Sequence, residues 1–571
     1  MKRNRFSIFT LLAILASMTA CYEVEQLTNI NAKKKNSKVL VKEIYTGSLI
    51  KSANGVNFGP DGNLYIASFG GQEIIVMNKQ NGKILKRLGP EDGVISPDDL
   101  AFGPDGSLYW TDINIGEVGR MTPEGVVTKQ FVAPGVNPIT FSEDGRLFVG
   151  LCFLGDGLYE LDPDLIAPPR QIIASTPENP FPLGFLNAFD FGPDGKLYGP
   201  LFAGGAVIRV NVGGQGTPTS TDPFGDGTAE FLAGGFTVPV AAKFDSKGVL
   251  HVLDQSGEVF KVNTLTGEKT LFIKIQEGLD NLAFDSKGSL FISNADFGSV
   301  VEILPSGQPR TISREGMIAP MGLAVLPGSN NKDALYVADL FRLYQFNGLS
   351  GKKEKVYKGD LLGREGNLTT PFTLSADGQN LIVSSYFGGV VQIWNPQTDK
   401  VLQTFEIPSV PVDAIRFKDD IAVSALLAGV VRASDQSPIF PEGTLLIPSG
   451  LATDGETLWV ADLATGTIWQ LGSNNIPVEL ATGLKGPEGL AWDKEGGLLV
   501  VETDASRLSR VDLATGEVSK IADGLSLSGA AVGQDAALPP SNYFDGVVVG
   551  QSGDIYVSGG GKNVIYRISK N

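Results

Sequence analysis

One short phrase recurs twelve times along this chain of 571 residues, and the fold has to give every copy an equivalent place. Clear copies are GVNFGPDGNLYIAS from Gly55, DLAFGPDGSLYWTD from Asp99, NAFDFGPDGKLYGP from Asn187 and NLAFDSKGSLFISN from Asn281. GLAVLPGS from Gly322, GLATDGETLWVAD from Gly450 and GLAWDKEGGLLVVE from Gly489 are weaker ones. Each joins two apolar runs of strand length through Asp-Gly or a close variant, which tolerates the positive φ of a tight hairpin. Glycine supplies 71 residues, about 12% against roughly 7% in ordinary soluble chains, so turns must be frequent. The units start at Asn54, Asp98, Asn137, Asn187, Val240, Asp280, Met321, Thr370, Asp413, Ser449, Glu488 and Asp545, at spacings of 36 to 57 residues. Units of roughly 40 to 50 residues with four short strands are propeller blades, and a ring of twelve lies outside the usual four to eight. The chain is therefore predicted to be all-β: two six-bladed β-propellers of four-stranded antiparallel blades.

Closure sets the domain boundaries. Val39–Tyr45 reads as a fourth strand with no first three before it, whereas the unit from Asp545 ends at Ile568 without a fourth. Pairing the two fragments removes two exposed sheet edges. The partition expected on this basis is a discontinuous first propeller of 39–275 plus 541–571, a second of 276–524, and a crossing linker over 525–540. The simpler alternative is 50–315 and 316–571.

The N-terminus carries Lys2, Arg3 and Arg5, an apolar run from Phe6 to Met18, and small residues before Cys21, the pattern of an export signal. It resembles the bacterial lipoprotein signal, which implies a signal peptide over 1–20, acylation of Cys21 and a tether over 21–38. An ordinary cleaved signal is the rival reading. Removing 1–20 leaves 43 Lys and Arg against 63 Asp and Glu, a net −20, which repels nucleic acid. The expectation is an exported, monomeric protein of the bacterial envelope or periplasm that meets a membrane only through its lipid. Cys152 lies in an apolar run and reads as a small buried hydrophobe.

PDDLAFGPDGSLYWTD, LDNLAFDSKGSLFISNAD and GPEGLAWDKEGGLLVVE resemble the NHL-type and gluconolactonase/regucalcin-like six-bladed propellers, over nearly all the chain after the signal. Radial repetition turns the first residue of each unit into a ring about a channel. Under the discontinuous partition the first ring carries Asn54, Asp98, Asn137, Asn187, Val240 and Asp545, rich in the hard oxygens that suit calcium or magnesium. The resemblance implies a divalent cation held by Glu, Asn and Asp at such positions, here Asn54, Asp98, Asn137, Asn187 and Asp545, with Asp98 or Asp99 as the acid or base. The plainer reading is that Asx side chains at strand starts satisfy local backbone donors. Asp280, Asp413 and Glu488 are the candidates for the second channel.

His251 is the single histidine, which excludes multi-histidine metal sites; lone strand histidines are mostly packed. The related streptogramin-lyase propellers depend on histidine chemistry. Asp112, Asn294, Asp296, Asp339 and Asp462, at second-strand ends, read as structural ties to the following turn. Two functions follow: a non-catalytic exported binding protein for a small molecule, a glycan or a protein, or a divalent-metal-dependent hydrolase of lactones or esters.

Overall fold

The computed structural model describes residues 39–213, 227–328, 332–361, 363–472, 475–528 and 543–570. The export signal, Cys21 and the tether lie outside these residues, as does most of the expected crossing linker.

Each repeat folds as its phrase dictates. In the first blade Ala53–Phe58, Leu64–Ser68, Glu73–Met77 and Ile84–Leu88 pair in chain order, all antiparallel. The turn between the first two strands is closed by the Gly59 amide donating to the Asn63 carbonyl at 3.0 Å, with Gly62 at φ 74°. The Asp61 side chain accepts from the Asn63 amide at 3.0 Å, which is why an Asp precedes the glycine. Second strands such as Leu108–Asp112 are buried throughout, while fourth strands such as Val127–Phe131 are mostly exposed. The core accordingly lies between neighbouring blades: Ala101, Tyr109 and Val118 of one pack on Val136, Ile139 and Leu147 of the next.

Among the described residues, eleven of the twelve sheets have four strands. The exception is the sheet of Pro411–Phe417, Asp420–Ala425 and Gly429–Arg432, where the turn after Arg432 caps the edge instead; the Ile439 amide donates to the Val430 carbonyl at 2.7 Å. A surface cavity of about 430 Å³, lined in part by Phe405, Arg416 and Arg432, lies beside that shortened blade.

The blades form two compact units. Residues 47–318 hold the first six blades, whose innermost strands touch in sequence and close when Leu279–Phe284 meets Ala53–Phe58. At that seam the Ser293 hydroxyl donates to the Asn54 carbonyl at 2.5 Å, Lys79 pairs with Asp285 at 2.9 Å, and the Phe58 and Phe291 rings meet edge-on at 5.0 Å. The other unit joins Val39–Thr46 to residues 319–571. Its last blade is composite: Val547–Val549, Ile555–Gly559 and Val564–Lys570, then Val39–Thr46 as the fourth strand, with Val41 opposite Ile568 and Glu43 opposite Tyr566. That blade meets the seventh, where the Tyr556 hydroxyl donates to Asp333 at 2.9 Å.

The composite blade thus belongs with 319–571 and not with 39–275, a correction to the expected partition. The physical reason is that six consecutive blades already close the first ring, leaving the twelfth place in the second. The first boundary falls close to the simpler alternative, 50–315. Two six-bladed β-propellers are the architecture. Among the described residues no helix is long and apolar enough to cross a membrane.

Candidate functional site

The first channel is built from a repeated irregularity. In five of the innermost strands of residues 47–318 the ladder register breaks near its start: between Pro239 and Ala241, which frees Val240, and, freeing two residues each, between Ala53 and Val56, Pro97 and Leu100, Val136 and Ile139, and Leu279 and Leu282. Such a bulge releases residues from the ladder and re-aims their side chains. The released pairs are Asn54-Gly55, Asp98-Asp99, Asn137-Pro138 and Asp280-Asn281, so each supplies one residue to a ring and one to the layer beneath it.

The ring consists of Asn54, Asp98, Asn137, Asn187, Val240 and Asp280. The Asn54 amide donates to Asp98 at 3.3 Å, and the Ser52 hydroxyl donates to the Asn54 oxygen at 2.7 Å. The Asn137 amide donates to the Asn187 oxygen at 3.3 Å, which also accepts the Ala188 N–H at 2.9 Å. Asn137 is 2% exposed, yet its side-chain oxygen has no hydrogen-bond partner. An unpaired buried acceptor is costly and is ordinarily met by an ordered water or a bound ligand.

Beneath the ring, Asp99 and Asn281 meet: the Asn281 amide donates to Asp99 at 3.0 Å. They belong to blades on either side of the first, and the gap is left by Gly55, where a Cβ would lie 2.5 Å from the Asp99 Cα. Asp99 also accepts the Leu100 N–H at 2.9 Å and the Ile139 N–H at 3.2 Å. Asp99 is therefore a staple across three blades, its oxygens committed to protein donors.

The charges are unbalanced. Asp98 is raised to about 7 by burial and by the negative charge of Asp99, opposed by the Asn54 amide. Burial and the charges of Asp98, Asp99 and Asp296 hold Asp280 well above the usual carboxylate range. Asp98 and Asp280 are half-buried, walled by protein yet reached by water. Lys243, which the sequence reading did not single out, is the counter-charge acting on Asp99, Asp190 and Asp280. Its signal was a lone cation among the first six units, in VAAKF, where the equivalent residues are Asn57, Ala101, Thr140, Asp190 and Ala283.

Sequence reasoning also missed a group of phenylalanines at the same mouth. The loop after Leu147–Leu151 folds over the start of its own blade, the Cys152 amide donating to the Gly135 carbonyl at 2.7 Å. The next blade repeats this, with the Phe202 amide donating to the Phe185 carbonyl at 3.0 Å. Phe153 lies against Phe185 at 5.9 Å, stacked, and against Phe202 at 5.0 Å, edge-on. Phe181 meets Phe185 at 5.4 Å. Phe153 and Phe185 hold φ of 62° and 66°, strained for such side chains.

In the other unit Asp545, expected in the first ring, stands beside Glu488; its N–H donates to the Glu488 carboxylate at 2.9 Å. This is a correction that follows from the blade assignment, and Asp280 takes the place in the first ring. The Asp545 oxygens accept the Ser528 N–H at 2.5 Å and the Gly560 N–H at 2.8 Å. Asp413 is offset by one residue and is the counterpart of Asp99: it accepts its neighbour Ala414 at 2.9 Å and, from the next blade, Leu451 at 2.9 Å. Burial raises it to about 6. These three acids hold backbone in place, as the plainer reading of strand-start Asx residues had it.

The expected cation set is brought together in part, Asn54, Asp98, Asn137 and Asn187 sharing the first ring without Asp545. Asp545 is in the other unit, the Asn54 and Asn187 oxygens are occupied by protein donors, and among the described residues no three His, Cys, Asp or Glu side chains stand close enough to share a metal ion. His251 is buried, its ring edge-on to Phe272 and Phe284 and its Nδ1 3.0 Å from the Val249 carbonyl oxygen. Burial lowers its pKa, so it is held neutral. Asp112 and Asp462 tie down the strand-preceding loops, Asp112 through the Ser96 N–H at 2.7 Å and Asp462 through the Leu446 N–H at 2.9 Å.

No protein-family model matches the sequence, and no curated protein matches it. Among solved structures, the chain is similar to a virginiamycin B lyase from Staphylococcus aureus at 15% identity, over 53% of this chain and 96% of that one, with a TM-score of 0.36. A gluconolactonase from Xanthomonas campestris matches at 15% identity over 45% and 87%, TM-score 0.35. A calcium-binding regucalcin from Agrobacterium tumefaciens matches at 16% over 44% and 85%, TM-score 0.34.

Proposed function

We propose that this chain is an exported binding protein, tethered through a lipid on Cys21, whose first propeller takes a small ligand into the mouth of its channel. The observation that carries this reading is the Asn137 side-chain oxygen, 98% shielded and without a partner, in a ring beside two water-reached carboxylates. The second propeller's acids are committed to backbone donors, so it is assigned a structural part.

Hydrolysis of a lactone or ester with a divalent cation is the second reading. It is favoured by Asp98, raised to about 7, a value suited to proton transfer near neutrality.

The test is native mass spectrometry of gently purified protein, followed by a panel of lactones and aryl esters. Binding predicts a small molecule that co-purifies with the wild type and is lost in Asp98→Ala, with no turnover of the panel. Turnover that disappears in Asp98→Ala would replace binding with hydrolysis. The tether predicts that Cys21→Ser abolishes incorporation of labelled fatty acid; label retained in that variant would remove the anchor from the account.

A further inference from the structure

The mouth of the first channel is two-sided. Asp280, Asn54 and Asp98 come from successive blades and make one side acidic. Opposite them, Phe153, Phe185 and Phe202 stand over the strand starts that carry Asn137 and Asn187, and Phe202 and Phe185 pack with Val238 and Val240. The two sides are close together: the Cys152 thiol, next in chain to Phe153, feels the negative charge of both Asp98 and Asp280. Phe153 and Phe181 are 39% and 49% exposed, rings turned to water although the fold pays strain at Phe153 to place one of them.

The polar lining is rich in acceptors, and its clearest side-chain donor is the Asn187 amide, whose oxygen is the engaged atom. The amide nitrogens of Asn54, Asn137 and Asn281 are turned onto Asp98, Asn187 and Asp99. What faces the water of the mouth is the Asp98 and Asp280 carboxylates, with the unpaired Asn137 oxygen buried in the same ring. A sugar hydroxyl both donates and accepts and would find few donors here; a ligand that only donates and carries positive charge is complemented by the Asp98 and Asp280 carboxylates. Aromatic faces beside carboxylates are the surroundings that hold an organic cation, because the ring quadrupole and the acids attract the same charge.

Resting on the binding function above, we propose that the ligand of the first channel is an organic ammonium with an aromatic or branched apolar body, its nitrogen held by Asp98, Asp280 and the Asn137 oxygen and its body against Phe153, Phe185 and Phe202. The lone Lys243 does not neutralise the site, since its charge is shared among Asp99, Asp190 and Asp280.

The experiment is ligand-observed NMR on the whole chain with phenethylammonium, phenethyl alcohol, methyl glucoside and calcium ion as probes. A nine-atom fragment that fits a site is detectable by about 10 mM. Phenethylammonium is expected to bind, with phenethyl alcohol about tenfold weaker, and Asp98→Asn and Phe153→Gly each weakening the ammonium about tenfold. Phe153→Gly also relieves the positive φ, so the first propeller should keep its melting temperature within a few degrees while binding falls. That split separates a ligand contact from a structural ring. Preference for the alcohol or the glucoside, sensitive to Asp98→Asn, would overturn the cation and leave the binding function standing. Calcium binding that displaces the ammonium and needs Asp98 would also overturn it. No binding of any probe would overturn the cation and count against the channel as a ligand site.

Discussion

Asp98 and Asp99 are neighbours in the chain with opposite surroundings. The bulge sends Asp98 to the water of the channel beside other acids and Asp99 into a cage of donors from three blades. An unfolded Asp titrates near 3.9, and Asp98 titrates near 7 in the fold. Between those values the folded protein holds a proton that the unfolded chain has lost, so this residue lowers stability as pH rises from about 4 to about 7 and adds no further loss above. Asp98→Asn removes the effect. The variant should match the wild type near pH 4 and exceed it at pH 8 by about 1–2 kcal/mol, after allowing for water in the mouth. Urea denaturation at the two pH values checks this, and a variant less stable at pH 8 would contradict it. The sequence showed both aspartates as polar residues at a strand start, but not which oxygen would be occupied. That depends on Asn281, 182 residues away, and on the missing side chain of Gly55.

At the scale of elements, the recurring device is a hydroxyl on the second strand. Ser293 accepts the Asn281 N–H at 3.0 Å and donates to the Asn54 carbonyl of the neighbouring blade; Ser424 does the same between Asp413 and Ser449. One small side chain thus holds a bulge open and ties two blades. Ser293→Ala leaves buried backbone groups unpaired at the ring seam and should cost about 1–3 kcal/mol, read as a lower denaturation midpoint of the first propeller. A loss under about 0.5 kcal/mol would show that the seam does not depend on it. Val39–Thr46 is the second case. Deleting it uncovers the Val564–Lys570 edge, and the protein should gain concentration-dependent aggregation together with a lower transition for the second propeller alone. If both propellers melt as before, the strand is dispensable. Hairpins, blade phrases and the orphan fourth strand were readable because each is local, written within one unit or as a missing piece of one. The short ninth blade was not, since its capping turn satisfies the edge by backbone bonds that leave no pattern in the side chains.

The whole molecule turns on which blades close which ring. Twelve units and an unmatched strand at each end were visible in the sequence, yet they allow the composite blade to sit in either propeller. Only the packing of Leu279–Phe284 on Ala53–Phe58 decides it, and with it whether Asp280 or Asp545 joins Asp98. The phenylalanine side of the mouth lay beyond sequence reading for a related reason: Phe153, Phe185 and Phe202 sit in three loops with no shared phrase. The most direct test divides the chain at Ile318. Residues 47–318 alone should show near-ultraviolet circular dichroism and a cooperative thermal transition. Residues 319–571 should do so only when Val39–Thr46 is appended after the C-terminus through a short turn, as the pairing of Val39 with Lys570 permits. A 47–318 fragment that fails to fold, or a 319–571 fragment that folds equally well without the appended strand, would contradict the assignment of blades to rings and the acid ring built on it.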